Sequence, residues 1–149
     1  MKKNLLLAFL FCCNSLILHA QVYDSSLAKK LNADDYGMKK YVLVLLKTGT
    51  ADASDSKKVD SVFSGHMKNI QLLAAQNKLV LAGPLGENEN KYEGIFILNT
   101  DNMDEAKKML ETDPAVQQHF LSTELFIWYG SAAVQEIPAI HLKIQKKHF

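Results

Sequence analysis

His66 is the residue best placed to do chemistry. It falls three residues after Phe63 and four after Val62, and in a helix that spacing puts it on the stripe facing the core. Two readings of such an imidazole stay open: a core histidine satisfied by a backbone carbonyl, or a general acid or base, the work for which imidazole is suited near neutral pH. Asp113 is the second candidate. It precedes Pro114 at the start of a short helical run, the expected pairing of an N-cap with a first-turn proline. Such a cap is worth about 1 kcal/mol. The carboxylate has a second oxygen, which can be aimed into a pocket and orient an imidazole. Gly83 and Pro84 read as turn punctuation or as the wall of a pocket mouth. Trp128 and Tyr129 read as core or interface aromatics, or as lining for a flat ligand.

Other chemistries find little support in the residues. His119, His141 and His148 lack ligand-like spacing with one another or with carboxylates, so no metal is expected. The run GPLGEN lacks the Lys-Ser/Thr ending of a phosphate loop and does not open a helix. No nucleotide fingerprint and no Ser, His and Asp arrangement stands out, and no cofactor is expected.

The elements that must position these side chains follow from periodicity. YVLVLLK at 41–47 is short, apolar and β-branched, and reads as a strand. From 58 to 76, Val59, Val62, Phe63, Met67, Ile70, Leu73 and Ala74 keep the spacing of one helical face. Strands follow at 79–83 and 92–99 around the polar hairpin loop GENENK. A helix capped by Asp101 or Asn102 runs through MDEAKKMLE, AVQQHF continues it beyond Asp113-Pro114, and TELFIWY at 123–129 closes the series. The order is β-α-β-β-α-β, an α+β ferredoxin-like arrangement with an antiparallel sheet and both helices on one face. Both faces of the sheet are apolar: Val42, Val44 and Leu46 point one way, Tyr41, Leu43 and Leu45 the other. A half-solvated sheet alternates apolar with polar, so the second face needs a cover. A face-to-face homodimer supplies one; the alternative is the C-terminal segment, with Ile137, Ile140 and Ile144 at helical spacing, folding across it.

Charge and leader bound the setting. Lys2 and Lys3, the apolar stretch 4–18 and the small Ala20 before Gln21 make a secretory signal peptide, cut near Ala20. Periplasm or secretion is the expected destination. The chain carries 17 basic and 16 acidic side chains; cleavage removes two lysines and no acid, leaving a net charge of −1. No nucleic-acid partner is expected from that balance, and no later stretch approaches the roughly 20 apolar residues of a membrane span. Both cysteines, Cys12 and Cys13, leave with the leader, so stability must come from packing. Residues 21–40 form a lead-in with a short helical piece around Leu27, Ala28 and Leu31; the core domain spans 41–131, and 132–149 form a helical tail.

The strand at 41–47, the helix carrying His66, the run NKLVLAGPLGENENKYEGIFIL, the segment ETDPAVQ and the strand ending in Trp128-Tyr129 together resemble the YCII-like family over residues 37 to 131. The resemblance implies a dimeric α/β barrel of ferredoxin-like fold. The family's proposed active-site pair, a His and an Asp, maps onto His66 and Asp113. Leu85 departs from the Phe that many members carry after Gly-Pro, which alters a wall of the implied pocket (Gly83, Pro84, Leu85, Trp128, Tyr129), and the export signal departs from the better-known members. Most of the family has no established reaction. The expectation is therefore a small metal-independent enzyme of lyase, isomerase or hydrolase type moving a proton on a small, cyclic substrate. The alternative is a non-catalytic small-molecule-binding or accessory dimer.

Overall fold

The computed structural model describes residues 22–147; the expected signal peptide, residues 1 to 20, lies outside them. After α1 (Ser25–Lys30) the chain turns at Gly37 and enters β1 (Met38–Thr48). Helix α2 (Ser56–Ala75) starts at Asp55, whose Oδ1 accepts from the Lys57 and Lys58 amides at 3.0 and 3.2 Å. It stops where Asn77 takes a φ of 55°, a left-handed conformation that Asn tolerates. Strands β2 (Leu79–Pro84) and β3 (Tyr92–Leu98) form a hairpin. Helix α3 (Met103–Leu110) is capped by Asn102, the second of the two expected candidates. The single turn α4 (Pro114–Gln117) leads to β4 (Leu121–Ser131).

The sheet order is β2-β3-β1-β4, with every neighbouring pair antiparallel, as the ferredoxin-like frame requires. The central pairing is longer than hydropathy suggests. β1 begins at Met38 rather than Tyr41, and β4 runs from Leu121 to Ser131 rather than from 123 to 129, because the two pair throughout from Met38↔Ser131 to Thr48↔Leu121. Ladder hydrogen bonds use the backbone, so the polar Lys39 and Lys40 belong to the strand although they carry no apolar signal.

Opposed residues of an antiparallel pair project from the same side, so the register assigns the faces. Val42 and Val44 stand beside Leu98 and Phe96 on β3 and beside Ile127 and Leu125 on β4. This face takes the helices, and Val62 and Leu73 of α2 pack there with Ala106, Met109 and Leu110 of α3. Side chains of this size, fully buried, stabilise the fold by roughly 1.5–3 kcal/mol each before conformational entropy is counted. On the opposite face Leu43 and Leu45 stand beside Ile97 and Ile95, Leu43 also beside Phe126, and Tyr41 beside Trp128.

The tail covers part of that second face. A 3-10 turn (Ala132–Glu136) precedes α5 (Ile137–Ile144), and its Val134 packs on the cluster of Tyr41, Val80 and Ile97. Trp128 lies back along its own strand over Gly130, where a Cβ would sit 2.1 Å from the indole, and it meets Tyr41 at a centroid distance of 5.6 Å. Helix α5 reaches the edge strand β2, but the cover is incomplete: Ile140 and Ile144 are 54% and 72% exposed, and Phe126 remains 47% exposed. Among the described residues no helix is long and apolar enough to cross a membrane.

Candidate functional site

His66 and Asp113 meet. Helix α2 turns the imidazole inward, as its spacing predicts, and the residue is buried. The α3–α4 junction brings Asp113 to it, fully buried, with 2.7 Å between His66 Nδ1 and Asp113 Oδ2. The other carboxylate oxygen, Oδ1, accepts from the Ala115 amide at 2.9 Å. One side chain therefore both caps α4 and holds the imidazole. The approach of the two elements depends on Gly65, the residue before His66: a Cβ there would come within 3.0 Å of the Pro114 ring.

With Asp113 ionised, the carboxylate only accepts hydrogen bonds, and Nδ1 then carries the proton between His66 and Asp113. Nε2 is then the nitrogen that gains or loses one. Among the described residues Nε2 has no protein hydrogen-bond partner and is not fully buried, so it keeps a path to solvent. Aromatic rings hold the imidazole in place: Phe96 of β3 stacks on it at 5.9 Å and an interplanar angle of 19°, and Phe63 meets it edge-on at 5.8 Å. Phe120 in turn packs edge-on against Phe63.

A second rung lies beside the first. Asn69, three residues after His66 on the same buried stripe, contacts Thr112, the residue before Asp113, at 3.0 Å. Its other amide atom is buried without a hydrogen-bond partner. Sequence reading passed over Asn69; the available signal was an amide on an otherwise apolar helical face one turn from the histidine.

The remaining expected pocket residues lie apart from this pair. By register Gly83 opposes Ile95, and Trp128 opposes Tyr41, on the sheet face away from the helices. Tyr129 points to the other side and donates to Asp34 Oδ2 at 2.5 Å; it lines an open depression of about 410 Å³ with Lys39 and Asn99. Leu85, beyond Pro84, borders another of about 360 Å³ with Thr48 and Tyr92. His66 lines neither. In the single chain, then, Gly83, Pro84, Leu85, Trp128 and Tyr129 do not converge on the His66–Asp113 pair. Among the described residues no three His, Cys, Asp or Glu side chains cluster as metal ligands.

One further polar group sits at the end of the second sheet face. Lys47 and Glu124 pair at 2.9 Å, and Tyr92 donates to the other Glu124 oxygen at 3.2 Å. The hydrogen bond from Lys47 holds the Glu124 carboxyl below its ordinary range, and the same bond raises the ammonium of Lys47.

No protein-family profile matches the sequence, and no curated protein matches it. Among solved structures the chain is similar to 5-chloro-2-hydroxyhydroquinone dehydrochlorinase from Burkholderia phenoliruptrix AC1100, in complex with 2,5-dihydroxybenzoquinone. The identity is 17% and the TM-score 0.43, over 58% of this chain and 92% of that one.

Proposed function

We propose that this chain is an exported acid–base catalyst acting on a small cyclic molecule, with His66 Nε2 as the group that moves the proton and Asp113 as the residue that orients and neutralises it. The observation that carries the reading is the 2.7 Å contact between His66 Nδ1 and a carboxylate whose other oxygen is committed to a helix cap. The cap fixes the carboxylate, the carboxylate fixes the tautomer, and the tautomer leaves a lone pair on Nε2. A proton taken from an O–H or activated C–H of the substrate passes to Nε2, Asp113 balances the imidazolium, and the proton returns to another atom of the substrate or to water. Positioned general acid–base groups of this kind contribute roughly 10²–10⁴ in rate. The working unit is a homodimer closed through the second sheet face, where the tail leaves Phe126 and the Leu43–Leu45 row without a full cover within one chain.

The test is deuterium incorporation from D₂O into a panel of small cyclic ketones and hydroxylated rings, followed by proton NMR. Wild type should accelerate exchange into at least one compound, and His66→Ala should abolish the acceleration with an unchanged circular dichroism spectrum. Acceleration that survives His66→Ala would sink the assignment. Ligand-dependent stabilisation without exchange, in both proteins, would favour a binding module.

A further inference from the structure

We infer that α5 (Ile137–Ile144) and the lysines that follow it form a docking surface for an anionic phospholipid bilayer, lying in its surface layer rather than crossing it. Helix α5 is perched on the protein rather than packed into it: it touches β2 and the 3-10 turn before it, yet none of its residues is buried. Its large side chains, Ile137, Ile140, Leu142 and Ile144, are 37, 54, 66 and 72% exposed. Exposure rises along the helix, so its far end is the most open to solvent. Aliphatic side chains exposed in series on one short element make a patch, and such a patch marks a contact with a protein or a membrane.

Charge decides which. Residues 137–149 carry Lys143, Lys146 and Lys147 and no acid. Of the 17 basic side chains, Lys2 and Lys3 lie in the leader and these three beyond Glu136, which leaves 12 against 16 acids, a net −4, for residues 21–136. Among the described residues none of the three lysines forms an ion pair. Lys143 stands between Leu142 and Ile144 in the chain, so cations and exposed aliphatic side chains occupy the same end of one element. A protein partner would have to meet the aliphatics with apolar groups and ring them with acids. The surface of an anionic bilayer supplies both, phosphates above hydrocarbon, and the lysine stems reach from one layer to the other. A second copy meeting α5 with α5 would set lysines against lysines. The net −4 of the remainder is repelled by the same lipid, so only the α5 end approaches it. Eight residues of helix measure about 12 Å, too short to span the roughly 30 Å of hydrocarbon and suited to lying at its surface.

The test mixes the full mature chain with vesicles of phosphatidylglycerol or of phosphatidylcholine and reads the bound fraction by co-sedimentation. Wild type should bind the anionic vesicles roughly tenfold or more in preference, and the binding should weaken as salt is raised. Each lysine near such a surface is worth roughly fivefold in partition, so the triple variant Lys143→Gln, Lys146→Gln, Lys147→Gln should lose about a hundredfold. The double variant Ile140→Ser, Ile144→Ser should lose about tenfold on the same vesicles. Because α5 buries none of its residues, both variants should keep the circular dichroism spectrum and sedimentation coefficient of wild type. Absence of wild-type binding, or equal binding to the two lipids, overturns the inference. So does a loss in the lysine variant with none in the isoleucine variant, since adsorption by charge alone would then suffice. A wild type that ignores vesicles, with an isoleucine variant that sediments as a smaller species, assigns α5 to a contact between copies instead. None of these outcomes bears on the reading of His66.

Discussion

Replacing Asp113 by Asn separates the two duties of that side chain, and the outcome can be worked from the contacts. Asn is as good an N-cap as Asp, so the bond from the Ala115 amide, 2.9 Å in the native protein, is kept. That amide needs an acceptor, which forces the Asn oxygen toward Ala115 and its NH₂ toward His66. Two donors cannot face each other, so the imidazole must move its proton from Nδ1 to Nε2 and accept through Nδ1. The energetic change is the exchange of a charge-assisted hydrogen bond, about 1.5–3 kcal/mol, for a neutral one, about 0.5–1.5 kcal/mol. Relief of the buried charge offsets part of the difference, leaving a net loss of about 1 kcal/mol. Asp113→Ala is a different perturbation: it removes a cap worth about 1 kcal/mol and strands a buried imidazole N–H at about 1–3 kcal/mol, a total of roughly 2–4. Urea unfolding gives the stabilities, and long-range ¹⁵N–¹H correlation at mildly alkaline pH gives the tautomer. The expected result is a small stability loss in Asp113→Asn with His66 converted to the Nε2–H form. Retention of the Nδ1–H form, or equal losses in the Asn and Ala variants, would refute the account of how the carboxylate is held.

Three further outcomes follow from the same contacts. Gly65→Ala gains about 1 kcal/mol of helix propensity, but its methyl would stand 3.0 Å from the Pro114 ring; α4 should be pushed off α2, so the His66 Nδ1 proton resonance should move upfield as the bond to Asp113 lengthens, even if the melting temperature is unchanged. Glu124 is held below its ordinary range by Lys47. A group depressed in the folded state contributes stability above its unfolded value, about 4.3, and that contribution disappears as pH falls through the lower folded value; the melting-temperature gap between wild type and Glu124→Gln should therefore be present at pH 6 and close on acidification below about 4. In sedimentation velocity, wild type should sediment as a dimer and Phe126→Glu, placed in the uncovered part of the second sheet face, as a monomer; a wild-type monomer would refute the proposed dimer, and a dimer that persists in the variant would move the interface elsewhere.

Much of the frame was legible because each cue reported one local constraint. The apolar stripe of α2 placed His66 inward, and the Asp-Pro step at 113–114 marked a cap. The double-sided apolar pattern of β1 announced a sheet needing cover on both faces. The misses have equally local causes. Lys39 and Lys40 belong to β1 through backbone pairing alone, which hydropathy does not see. Ile140 and Ile144 carry a helical period yet stay exposed, since a period defines a face without naming what it meets; Val134, in a 3-10 turn of no apolar period, packs on the cluster of Tyr41, Val80 and Ile97.

The site shows the same division more sharply. A cap and a catalytic orienter look identical in a sequence, because both require an Asp before a helical turn, and only the placement of the second oxygen separates them. Here that oxygen faces an imidazole 47 residues away in the chain, a distance no local pattern spans. Asn69 was harder still. Its significance lies in which of its two amide atoms is left over, and that depends on the single proton of Thr112, whose own position follows from the end of α3 at Met109. Asn69, Thr112 and Met109 together decide whether that buried atom accepts or donates. Cap and orienter become distinguishable only once the fold brings α2 against the α3–α4 junction, where one oxygen of Asp113 meets the Ala115 amide and the other meets His66.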